Sequence, residues 1–250
     1  MQQFGQITRR LSGWVMLCLA LAVSGCSLTD DTPAYRYRLT VEVDTPDGVK
    51  TGSSVIEVET SKGKSMMAPA GSVIMHRLRG EAVTVDLGTG RYLFALLRSK
   101  SDIDWAKRVM FSLTPSVRSS DGEHYEARYW EMLKRTGEIE LPRYFRSRSH
   151  LKNPPARPML VTFGDLDDPT SVEEVDPDDL GATFGEGNSL RRITVQITDD
   201  PVTTGIERRL EWLPDNYDKM LDGNANQTIR AKYKFANSLT QGDFSKGILK

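Results

Sequence analysis

Six aspartates, Asp165, Asp167, Asp168, Asp176, Asp178 and Asp179, crowd one acidic stretch, GDLDDPTSVEEVDPDDLGATFGEG. Two kinds of chemistry use carboxylates at that density. Calcium takes oxygen ligands, and Asp-x-Asp spacing on a loop supplies several of them. Helix starts use them differently: an Asp side chain accepts from unpaired backbone N–H groups, and its charge suits the positive end of the helix dipole. Ser171 with Glu174 forms a capping box, and Asp176-Pro177-Asp178-Asp179 sets an N-cap residue, a first-turn proline and two acids in order. Pro169 and Pro177 divide the stretch into two such helix starts. Capping is therefore the expected use, and no metal site is expected.

A second set of carboxylates, Glu123, Glu126, Glu131 and Glu138, could supply the acid and base of a hydrolase acting on an envelope polymer. That requires burial to raise one pKa and a separation that fits the bond to be cut. These acids fall along a predicted helix with cationic neighbours, where Glu131 can pair with Arg135, so solvated ion pairs are the simpler reading. His76, His124 and His150 are far apart and lack zinc-ligand spacing. Ser53 and Ser54 follow Gly52 without the Gly-x-Ser-x-Gly turn of a hydrolase nucleophile. FGEGNSL, 184–190, lacks the third glycine and the Lys-Ser/Thr pair of a phosphate loop. No catalytic residue and no cofactor can be named, and a non-enzymatic role is the leading expectation.

RYFRSRSHLK, 143–152, interleaves Arg143, Arg146, Arg148 and Lys152 with Tyr144 and Phe145. Such a patch suits RNA in a cytoplasmic protein. Behind a secretory signal it would instead meet anionic lipid head groups or an acidic envelope protein, and a solvated loop is its plainest use.

The N-terminus speaks to location. Residues 1–25 hold no acidic residue, carry Arg9 and Arg10, and run apolar from Leu11 to Val23 before Ser24-Gly25. A charged start, a short apolar run and small residues make a secretory signal, and the run is shorter than the roughly 20 residues of a bilayer span. Thr8-Arg9-Arg10 lacks the apolar residues that follow a twin-arginine pair. Val23-Ser24-Gly25-Cys26 resembles the lipobox of bacterial lipoproteins, which implies acylation of Cys26 and loss of Cys18 with the signal peptide; the alternative is an ordinary signal cut near Ala22 or Gly25. Ser27, in place of aspartate, resembles the outer-membrane rather than the inner-membrane class. Losing residues 1–25 takes the net charge from −1 to about −3, a balance that offers nucleic acid no broad attraction.

These side chains need elements to hold them. After a polar tether, 26–34, Tyr35, Tyr37, Leu39, Val41 and Val43 alternate with polar residues, as in a strand with one wet face. TPDG, 45–48, turns the chain into a second run, 54–60, making a hairpin. AVTVDL, 82–87, and RYLFALL, 91–97, make another pair, the latter apolar on both faces and so a central strand. Ser101 and Asp104 cap a helix carrying Ile103, Ala106, Met110 and Leu113, and Ser120 and Glu123 precede one carrying Tyr125, Tyr129, Met132 and Leu133. KNPPARP, 152–158, is a connector or subdomain boundary. MLVTF and RRITVQIT, with Ile193, Val195 and Ile197 alternating, read as strands; GIERRLEWL reads as a helix. Residues 223–250 read as a flexible or loosely docked tail. The expected fold is α+β, a twisted, mainly antiparallel sheet built from hairpins and packed with a few amphipathic helices, in one domain spanning 35–222.

Two blocks, RYRLTVEVDTPDGVKTGSSVIEV (36–58) and VDPDDLGATFGEGNSLRRITVQITDDPVTTGIERRLEWL (175–213), resemble an uncharacterised family of proteobacterial proteins. The resemblance implies a Gram-negative source and carries over no site residue. Together these readings point to a lipoprotein of the cell envelope, on the periplasmic face of the outer membrane, acting as a binding or structural module.

Overall fold

In strand β1 (Tyr35–Thr45), Tyr35, Tyr37, Leu39, Val41 and Val43 are all buried, while the residues between them form the wet face. The computed structural model describes residues 33–64, 72–119, 122–123, 125–146 and 153–247. Pro46 and Asp47 turn β1 into β2 (Gly48–Lys64), with Thr45 opposite Gly48 and Tyr35 opposite Val58. Strand β3 (Ser72–Glu81) pairs next with β2, and Ala82 alone separates it from β4 (Val83–Gly88). Then come β5 (Arg91–Ala95), helix α1 (Trp105–Leu113), the short strands β6 (Arg118–Ser119) and β7 (Gly122–Glu123), helix α2 (Tyr125–Leu133) and β8 (Ile139–Glu140). The chain continues through β9 (Leu160–Phe163), β10 (Val172–Val175), helix α3 (Leu180–Phe184), β11 (Ser189–Ile197) and β12 (Ser245–Lys246).

All strand pairings are antiparallel. One sheet has the order β12-β3-β2-β1-β11-β8 and a second β10-β9-β5-β4, with β6 and β7 pairing apart. The α+β expectation holds.

The second sheet is covered on both faces. Leu93, Ala95, Leu160 and Val175 join β1, β2, α1 and α2 in one core, which also holds Trp105, Met110, Tyr129 and Met132. Phe94, Leu96, Val161 and Val172 face a second core filled by Ile206, Leu210, Leu213, Leu239 and Phe244. Strand β5 is thus the central strand its two-sided apolar pattern predicts. The sheets approach closely at Gly52, where a Cβ would overlap the Thr84 carbonyl. Tyr37, fully buried, donates its hydroxyl to Ala106 O at 2.8 Å and ties β1 to α1. On the wet face, cross-strand neighbours are charge-matched: Arg36 meets Glu57 at 2.6 Å and Arg192 meets Glu42 at 2.6 Å.

Four local expectations change. Residues 172–175 form β10 instead of a helix: Asp168 caps a single 3₁₀ turn, Pro169–Ser171, and Val172 and Val175 then each enter a different core from an extended strand. GIERRLEWL does not complete an α-helix, because Gly205 enters at φ 114° and Pro214 follows at once. Ile206, Leu210 and Leu213 are nonetheless buried. At α1, Asp102 rather than Asp104 accepts the local backbone N–H, at 2.8 Å, and Ile103 is 61% exposed. The expected tail is docked: Ala236, Leu239 and Phe244 are buried, and β12 pairs with β3. Its apolar residues are too sparse for a period because turns, not one element, deliver them.

From Pro33 to Gly247 the described residues belong to one unit, and Trp105 Nε1 donates to Ala156 O at 2.9 Å, pinning the proline-rich segment inside it. No helix among the described residues is long and apolar enough to cross a membrane. The signal peptide, Cys18, Cys26 and most of the tether lie outside the described residues.

Candidate functional site

Lys100 and three short segments within residues 143–178 close around one cleft of about 430 Å³ beside β10. Tyr144 forms an antiparallel bridge with Pro155, and the pairing is extended by Phe145 N–H to Pro154 O at 2.9 Å and Ala156 N–H to Arg143 O at 3.0 Å. Proline has no N–H, so Pro155 and Pro158 favour this open, extended course over a continuous ladder. Met159 rejoins the sheet, donating to Arg98 O at 2.8 Å. The far wall is the end of β10 with Asp176, Pro177 and Asp178.

The charges are distributed unevenly. Lys100 Nζ lies 2.7 Å from Glu174, and Arg143 is ion-paired with Asp178. Asp176 accepts from the Asp178 N–H at 2.9 Å. Arg157, half-buried on the cleft wall, has no carboxylate partner among the described residues, and its enclosed Nε has no acceptor. Desolvated guanidinium N–H groups without acceptors are costly, and a planar guanidinium suits a carboxylate or phosphate oxygen. Met159 and Leu160 provide apolar wall, and Tyr144 is 57% exposed at the rim. Arg157 lines the cleft without a carboxylate partner among the described residues, so an anionic group entering it would meet a guanidinium beside apolar wall.

A second hollow, of about 470 Å³, lies around Tyr217, Lys219, Gln241 and Lys246. Burial pushes the Lys246 ammonium below its ordinary range, with Asp243 opposing.

The sequence-singled residues disperse. His76, on β3, sits 3.2 Å from the Thr60 hydroxyl, and burial followed by Lys107 and Arg108 lowers its pKa. His124, His150, Arg148 and Lys152 lie outside the described residues, as does the side chain of Glu123. Glu131 pairs with Lys134 at 2.7 Å instead of Arg135, which reaches Leu113 O. Glu138 holds Arg192 at 2.7 Å, and Glu126 occupies the first turn of α2. Four of the six clustered aspartates accept backbone N–H groups: Asp165 from Asp167, Asp168 from Thr170, Asp176 from Asp178, and Asp179, the α3 N-cap, from Ala182. Ser54 lies buried within β2 and donates to Glu81 O at 2.7 Å.

Sequence reasoning marked the basic patch, the proline run and the acidic stretch separately. It missed that Arg143, Arg157 and Asp178 share a cleft, and it passed over Arg157 entirely. The only local signal was an arginine between prolines, which says nothing about its neighbours across the fold. Comparison with family models, with curated proteins and with solved structures finds no match for this chain.

Proposed function

We propose that the chain is a lipid-anchored binding module of the cell envelope, held by an acylated Cys26 at the periplasmic face of the outer membrane of a Gram-negative bacterium, and that its ligand enters the cleft beside β10. The observation that carries the ligand site is Arg157: Lys100 and Arg143 are already paired in the same cleft, and Arg157 alone of these three cations has no carboxylate within ion-pair distance among the described residues. The ligand class that follows bears a carboxylate on an extended, partly apolar body. The membrane and an envelope partner are the counterparts in this reading.

The test is thermal unfolding of the chain with glutarate, citrate or inorganic phosphate. A ligand at about 100 times its Kd stabilises by about 2.7 kcal/mol, which for a domain of this size raises Tm by several degrees. The wild type is expected to show that rise with at least one carboxylate and Arg157→Gln to show none. An equal rise in both, or a rise in neither, contradicts the assignment of Arg157. The other reading, a carboxylate-dependent hydrolase, draws on Glu123, Glu126, Glu131 and Glu138, of which Glu131 and Glu138 hold different cations.

A further inference from the structure

Ile229 is 93% exposed, yet the loop that carries it is firmly held. Asn237, fully buried, accepts from Thr228 N–H at 2.6 Å and donates to Asp222 at 3.0 Å and to Asn226 O at 3.3 Å. Its own backbone N–H reaches Tyr233 O at 2.8 Å, and Ala231 packs inward. A loop fastened at both ends and in its middle does not expose an isoleucine by fraying. Singly exposed apolar side chains are common, so what could cover Ile229 is decided by its neighbours.

The flanking residues identify the cover. Arg230, Lys232 and Lys234 flank Ile229 and Tyr233 in the sequence, and Gly223–Gly242 contains no acidic residue. None of the three cations is ion-paired among the described residues; the Lys232 ammonium instead rests 4.7 Å from the Tyr233 ring centre. Aliphatic and aromatic side chains set among unpaired cations match a bilayer interface, where the apolar groups enter the acyl boundary and the cations meet anionic head groups. Nucleic acid would satisfy the charges and leave Ile229 in water.

We propose that the loop 223–235 docks on an anionic lipid surface. The inference makes no use of the cleft and stands apart from the assignment of Arg157. It is tested on the full chain carrying Cys18→Ser, Cys26→Ser and Ile229→Cys, labelled at the new thiol with an environment-sensitive fluorophore. Because this chain retains the apolar run Leu11–Val23, zwitterionic phosphatidylcholine serves as the reference for any attachment made through that run. On vesicles containing phosphatidylglycerol the emission is expected to shift to the blue, with no shift on phosphatidylcholine alone. Adding Arg230→Ser, Lys232→Ser and Lys234→Ser should weaken the anionic response roughly tenfold or more. Equal emission on the two vesicle types, or a full blue shift in the triple-serine variant, overturns the proposal.

Discussion

Glu81 shows how a single residue can tie β3 to the C-terminal layer at a cost in stability. It ends β3, is 6% exposed, and accepts the Ile206 N–H at 3.0 Å, fixing the start of the C-terminal layer. Burial pushes its carboxyl above the ordinary range, against the pull of the Ile206 N–H. A carboxyl raised in this way contributes its stability below the unfolded-state pKa and loses it as pH rises through the folded pKa. Glu81→Gln keeps an acceptor for Ile206 and removes the desolvated charge. It is therefore expected to raise Tm at pH 7 and to approach the wild type below about pH 3, where the carboxyl is protonated in both states. A variant less stable than the wild type by the same margin at every pH would mean that Glu81 acts only through its shape. Nothing in the local sequence, HRLRGEAV, distinguishes this acid from its exposed neighbours, because its burial comes from residues more than a hundred positions away.

Among the elements, legibility followed the reach of the information. The β1–β2 and β4–β5 hairpins were readable because their turn and their alternation are local, and β5 was readable as central because Phe94 and Leu96 are apolar on the side opposite Leu93 and Ala95. Strand β10 was not, since Val172 and Val175 keep a helix-compatible spacing and only pairing with β9 decides between the two. The C-terminal layer was the largest omission: turns deliver Ala236, Leu239 and Phe244 to a core that Phe94, Phe163 and Trp212 complete, with ring centres 5.8 to 6.2 Å from Phe244. Phe244→Ala should cost about 3 to 5 kcal/mol and lower Tm on the order of 10 °C, as read by circular dichroism. A change of a degree or less would return this segment to the status of a tail. The cleft was illegible for a related reason: its three walls are each ordinary alone, and the unpaired state of Arg157 is a property of the assembled site.

At the scale of the whole molecule, the fold accounts for what the cysteine distribution implies. No cysteine follows Cys26, so no disulfide within the folded unit can hold it, and two apolar cores on either side of the second sheet do the work of cohesion. In the proposed reading, the anchor and the loop 223–235 would meet the same membrane from opposite ends of the sequence, the first for retention and the second for orientation. Anchoring is the claim on which the envelope reading turns, and it is tested most directly by intact mass and N-terminal peptide mass spectrometry of the chain recovered from bacterial membranes. The account predicts a mature chain that begins at Cys26 and carries a diacylglyceryl group on its sulfur; a chain recovered with an unmodified Cys26 thiol, or cut at another residue, would contradict it.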